Sequence, residues 1–126
     1  MTKRLEEFRE WREKMNARIL EAENLEVRRF FALDSRVYED GRLDTRTKEL
    51  LGLVSSLVLR CDDCIAYHMI RCRQVGWEPD ELMEALSVGL VVGGSIVIPH
   101  MRRAVELMDE LDDPGAEASD PPDGGP

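Results

Sequence analysis

The stretch CDDCIAYHMIRC, residues 61 to 72, carries all three cysteines of the chain and one of its two histidines. Thiols and an imidazole at this density can hold a metal ion, exchange electrons, or pack as small apolar groups. Laid on a helix, Cys61, Cys64, His68 and Cys72 fall on a single stripe. Cys61 and Cys72 are then about 16 Å apart along the axis, whereas every sulfur ligand of a zinc ion lies about 2.3 Å from it, so those two cannot share an ion. A zinc site would consist of Cys61, Cys64, His68 and a fourth ligand such as Glu49, since the chain has no second C-x-x-C.

The redox reading needs no ligand from elsewhere. C-x-x-C at a helix start places thiols beside unsatisfied backbone N–H groups and the positive end of the dipole, which stabilises the reactive thiolate. His68 follows Cys64 by one turn on the same face, close enough for direct or water-mediated proton exchange. Glu49 is the last charge before the apolar run LLGLVSSLVL. If that run folds back on the cysteine helix around Arg60, Glu49 comes within about one turn, or 5 Å, of His68. A carboxylate there would orient the imidazole and hold its proton, completing an arrangement of nucleophile, base and orienting group.

The elements that must position these residues are helical. Leu5, Phe8, Trp11, Met15, Ile19 and Ala22 recur at three and four, one face of a helix from Arg4 to about Glu23. A second helix is expected from Leu25 to about Tyr38, with Phe30, Phe31, Val37 and Tyr38 as its apolar side chains. Gly41 suits a helix C-terminus, and Asp44 suits the N-cap of a third helix from Thr45 to about Leu59, apolar or small all round in its later half and so expected to be central. The cysteine helix is the fourth and stops at Gly76. WEPDELMEALSVGLVV is the fifth, with Pro79 at an early position and Asp80, Glu81 and Glu84 near its positive end. VVGGSIVI has the composition of a hairpin, but a lone two-stranded ribbon is marginal, so a break and a sixth helix from Ser95 or Ile96 to Leu111 is preferred. The expectation is an all-α domain of six helices over residues 1–111, followed by a disordered acidic tail over 112–126, which has no large apolar residue.

The net charge of -9 is mostly local. Seven acidic residues and no basic one follow from Asp109 onward, leaving 17 basic against 19 acidic residues with no basic face, which argues against nucleic acid. The charged N-terminus MTKRLEEFREWREK has no apolar secretion-signal core, and the uncharged stretch Leu86 to His100 is too short for a bilayer, so a cytoplasmic, non-membrane protein is expected. Structural disulfides are rare in that compartment, which again directs three cysteines toward metal or redox chemistry.

Glu49, Cys61 twelve residues on, Cys64 and His68, with LDTRTKEL before and GGSIVIPH after, resemble the alkylhydroperoxidase D-like branch of the carboxymuconolactone decarboxylase family over residues 25 to 108. The resemblance implies an all-α homotrimer or homohexamer that is a thiol-dependent peroxidase or disulfide oxidoreductase, with no cofactor. It implies that Cys64 attacks a peroxide, Cys61 resolves the sulfenic acid, and His68 with Glu49 relays protons. An external dithiol, a lipoyl protein or a thioredoxin-like one, would restore the thiols. One residue departs from the pattern: alkylhydroperoxidase D has a histidine immediately before its second cysteine, where this chain has Asp63, preceded by Asp62. Two carboxylates oppose a neighbouring thiolate, so its pKa falls less, and disulfide exchange is favoured over peroxide turnover.

The alternatives are a non-catalytic oligomeric module that senses redox state or binds zinc, and lactone decarboxylation, which in that family works without the C-x-x-C pair. By default Cys72 is a small buried hydrophobe, His100 a surface or capping residue, Tyr67 a core or interface residue and Gly93-Gly94 a tight turn.

Overall fold

The computed structural model describes residues 3–112 in backbone and 4–112 in side chain. The elements are α1 (Lys3–Glu21), α2 (Leu25–Val37), α3 (Thr45–Val58), α4 (Asp62–Gln74), α5 (Pro79–Gly93), a single 3-10 turn (Ser95–Val97) and α6 (Ile98–Leu111), with no strand among the described residues. The tail expected to be disordered lies outside them from residue 113 onward.

Local chemistry sets the boundaries. The Asn24 side chain accepts from the Val27 N–H at 3.1 Å to start α2, and Asp44 accepts from the Thr47 N–H at 2.8 Å to start α3. At α5, Glu78 and Glu81 form a reciprocal capping box with Pro79 just inside. Helix α2 ends as expected, with Tyr38 as its C-cap; the correction is Gly41, which does not close the helix but sits three residues beyond it in the loop, donating its N–H to the Leu43 carbonyl at 2.9 Å. The Gly-Gly stretch breaks the helix. Gly94 takes φ +81, a conformation that side chains resist, and the 3-10 turn that follows leads into α6.

The core lies among α3, α4, α5 and α6. Leu53, Leu57, Ile65, Met69, Cys72, Leu82, Leu86, Val97, Ala104 and Met108 form one buried cluster. Helix α3 packs on both α4 and α5, and α4 packs on α6. Even so, α3 is covered on fewer sides than its composition implies, since Leu51 and Leu59 are exposed at 54% and 76%. Helix α2 contributes no buried residue, and Phe30 and Val37 face outward. Helix α1 crosses this body with Leu5, Arg12 and Asn16 buried, and the Arg4–Glu106 ion pair ties it to α6.

Candidate active site

Arg60 adopts φ +60, and this left-handed residue turns the chain from α3 into α4. Cys61 is thereby the N-cap of α4, where its sulfur accepts from the Cys64 N–H at 3.3 Å. Cys61 and Cys64 are joined by a disulfide, with their Cα atoms 5.3 Å apart. Both sulfurs therefore sit where the first turn leaves backbone donors unpaired.

The antiparallel packing of α3 on α4 brings Glu49 to His68. Nδ1 of the imidazole lies 2.8 Å from Glu49 Oε1, and both residues are only 2% exposed. Arg71, one turn beyond His68, donates from Nε to the other carboxylate oxygen at 3.3 Å. The buried carboxylate therefore has a cation and an imidazole, which is what keeps such a charge tolerable away from water. Nε2 of His68 lies 3.4 Å from the Tyr38 hydroxyl. With Glu49 ionised, Nδ1 carries the hydrogen and donates to it, and in the neutral imidazole Nε2 accepts from the phenol.

The ring is held on its remaining sides as well. Tyr67 meets it edge-on with centroids 5.1 Å apart, and the Arg12 guanidinium stacks over Tyr67 at 4.4 Å. Against the other side lies the backbone of α3: a Cβ on Gly52 would come 2.8 to 2.9 Å from three atoms of the imidazole, so only glycine leaves room for the ring. Burial, followed by the nearby Asp34 and Glu49 carboxylates, pushes Tyr38 up to about 12. Tyr67 is raised chiefly by burial too, as is Asp34, whose shift His68 and Arg12 oppose.

Cys72 is fully buried in the core, and burial followed by Glu49 pushes its thiol up to about 12, so it is a packing residue rather than a nucleophile at neutral pH. His100, read from sequence as a surface or capping group, is instead half-buried with Nδ1 2.7 Å from Asp62 Oδ1, while Arg103 donates to Asp62 Oδ2 at 3.1 Å. One of the two carboxylates opposing the thiolate is thus engaged by a cation from α6. Among the described residues no group of three or more His, Cys, Asp or Glu side chains could hold a metal ion. Two cavities flank the site: one of about 320 Å³ between α1 and the disulfide, and one of about 430 Å³ bordered by Tyr38, Gly52, Ser55 and His68.

The structure brings together Glu49 with His68 and Cys61 with Cys64, and it adds Tyr38, Arg71 and Gly52, which sequence reasoning missed. Arg71 and Gly52 carry a faint signal, each lying three residues from a member of the pair on its own helix. Tyr38 carries none, since thirty residues separate it from His68.

The chain belongs to a known class of all-α proteins: residues 26–107 match the carboxymuconolactone decarboxylase family. Two crystal structures of a Thermotoga maritima protein resemble it with TM-scores of 0.83. One is 56% identical, covering 85% of this chain and 94% of that one; the other is 52% identical, covering 90% and 98%. The second is described as a carboxymuconolactone decarboxylase family protein for which an antioxidative response has been suggested. An uncharacterized protein of the Paracoccus denitrificans cox locus is 34% identical over 83 residues, 66% of this chain and 75% of that protein. A Legionella pneumophila family member shares the fold, with TM-score 0.80 at 21% identity and coverage of 89% of this chain and 100% of that one. Among the described residues no helix is long and apolar enough to cross a membrane.

Proposed function

We propose that the chain is a thiol-dependent peroxidase and disulfide oxidoreductase with an antioxidant role. The observation that carries this reading is the Cys61–Cys64 disulfide at the start of α4, one helical turn from the buried Glu49–His68 pair.

In the reduced protein the Cys64 thiolate attacks the distal oxygen of a hydroperoxide. The O–O bond breaks, Cys64 becomes a sulfenic acid, and the departing alkoxide takes a proton. Cys61 then attacks that sulfur, forming the disulfide and releasing water. An external dithiol, lipoyl or thioredoxin-like, reduces the pair by exchange and is itself oxidised to a disulfide. Run in reverse, with the reduced pair attacking a disulfide substrate and itself becoming the Cys61–Cys64 disulfide while the substrate leaves as two thiols, that last step makes the protein a disulfide oxidoreductase. His68 supplies the proton, Glu49 orients it and stabilises its cationic form, and Tyr38 links Nε2 toward the outer cavity through which the proton is replaced.

The protein acts in the cytoplasm and as a homotrimer or homohexamer. Exposed apolar side chains on α3 and α5, among them Leu59, Val88, Val91 and Val92, support self-association. The test is peroxide consumption by the full chain with dihydrolipoamide or reduced thioredoxin. Turnover by the wild type that is lost in Cys64→Ser supports the reading, and equal rates in both proteins overturn it.

A further inference from the structure

The break at Gly94 and the 3-10 turn after it start α6 at Ile98, so His100 lies in the first turn of that helix. Helix α6 packs on α4, and His100 meets Asp62, the first residue of α4 and the neighbour of Cys61. Nδ1 of His100 lies 2.7 Å from Asp62 Oδ1, and Arg103 donates from Nη1 to Oδ2 at 3.1 Å. Both oxygens of the carboxylate are thus taken up by one face of α6. An ionised carboxylate only accepts, so Nδ1 carries the hydrogen of this bond whether the ring is neutral or charged.

We propose that His100, with Arg103, is a positioning residue of the Cys61–Cys64 pair: it holds the Asp62 carboxylate on α6 and so reserves the backbone donors of the first turn of α4 for sulfur. The inference rests on the thiol–disulfide reading above. Three observations carry it. Sulfur and carboxylate compete for the same groups, because the opening N–H groups of a helix have no partner within it and attract a nearby anion. Here the Cys64 N–H goes to the Cys61 sulfur at 3.3 Å, while Asp62, which lies between them in the chain, takes its bonds from α6. His100 is the stronger holder, since its side chain is 21% exposed against 54% for Arg103, and exposed ion pairs contribute little. Of the other charged groups around the small cavity that Asp62 and Arg103 border, Arg4 is paired with Glu106 and Asp63 is itself a carboxylate. A released Asp62 would turn to the helix-start donors and set its charge against the thiolate. The reduced pair becomes less acidic and the disulfide harder to reduce.

The test is made on the full chain with two readings that need no peroxide. One is the midpoint of thiolate absorbance against pH. The other is the equilibrium in which the protein disulfide and two glutathione molecules give the dithiol and one glutathione disulfide. His100→Leu should raise the thiolate midpoint by about 0.5–1 pH unit and move the equilibrium toward the protein disulfide by up to about 10-fold. His100→Gln, whose amide can still donate to Asp62, should recover most of the shift. Arg103→Leu should move both readings in the same direction by less. In an Asp62→Asn background His100→Leu should move neither, because the charge it restrained is gone. A shift of the same size with and without Asp62, or no shift in His100→Leu, overturns the inference and leaves the redox pair standing. Should His100→Leu fail to fold, as circular dichroism would show, Arg103→Leu with and without Asp62→Asn decides in the same way, since Arg103 is exposed. If the wild-type disulfide does not exchange with glutathione, the redox reading and the inference fall together.

Discussion

Gly52→Ala tests the geometry of the Glu49–His68 pair from a position that touches neither cysteine. Helix propensity alone says that alanine inside α3 should stabilise the protein by about 1 kcal/mol. The structure says the reverse. The added methyl would stand 2.8 to 2.9 Å from three imidazole atoms, and ordinary contact begins at 3.4 Å. The ring would have to retreat by about 0.6 Å to restore normal van der Waals separation. Retreat is opposed, because the ring is 2% exposed, with Tyr38 and Tyr67 centroids at 5.2 and 5.1 Å, and is held to Glu49 at 2.8 Å. Overpacking of this kind costs about 1–3 kcal/mol, and loosening the hydrogen bond to a buried carboxylate belongs to the same cost. The net expectation is a loss of up to about 2 kcal/mol, with disulfide formation by peroxide slowed because the base is displaced. Denaturant unfolding at matched protein concentration measures the first, and stopped-flow oxidation of the reduced protein the second. At Gly89 the clash is with Leu57 Cδ2 at 2.9 Å, the end of a flexible side chain, so Gly89→Ala should leave the oxidation rate unchanged. A Gly52→Ala protein about 1 kcal/mol more stable than wild type and oxidised at the same rate would refute the reasoning.

The reduced native protein should show two thiols reactive toward dithionitrobenzoate near pH 8, with Cys72 reacting only after denaturation, since burial pushes it up to about 12; three equal equivalents would contradict this. Both tyrosines of the chain are raised by burial, so absorbance at 295 nm should stay flat until above pH 10, with Tyr38 ionising near 12. Because the fold favours the neutral phenols, their contribution to stability is complete below pH 10 and is lost as pH rises toward 12, and Tyr38→Phe should flatten that decline. Glu49→Gln removes the buried charge that Arg71 and His68 share, so stability should fall by about 3 kcal/mol in denaturant unfolding. Oxidation of the reduced Glu49→Gln protein should slow by about 100-fold in the stopped-flow assay. Val91→Lys places a charge on a side chain that is 83% exposed in the single chain and should lower the sedimentation coefficient if that face is shared between copies.

Much of this arrangement was legible because it depends on short spacings. The C-x-x-C pair lies at the cap of α4, where helix-start chemistry places it, and the fold-back about Arg60 puts Glu49 on His68 because two antiparallel helices of known rise admit one register. Asp44 and Pro79 likewise act within one turn of their own positions. What stayed hidden depends on which faces meet. Tyr38 reaches His68 from the end of α2, a helix with no buried residue of its own, so its hydrophobic pattern could not reveal its partner. Gly52 lies in an apolar run whose pattern carries no sign that an imidazole packs against its backbone. The two aspartates of the motif opposed a thiolate on paper, yet Asp62 is held by His100 and Arg103 of α6, forty residues downstream or close to it. Exposed apolar residues on α2, α3 and α5 satisfy the same periodicity as buried ones, so periodicity could not separate core from open surface.

The measurement that bears most directly on the central claim is the intact mass of the reduced, metal-free protein before and after a small molar excess of a peroxide. The account predicts the loss of two hydrogens, mapped by peptide analysis to Cys61 and Cys64 and restored by a dithiol. An unchanged mass with both hydrogen peroxide and cumene hydroperoxide, or a disulfide that maps to Cys72, would contradict it.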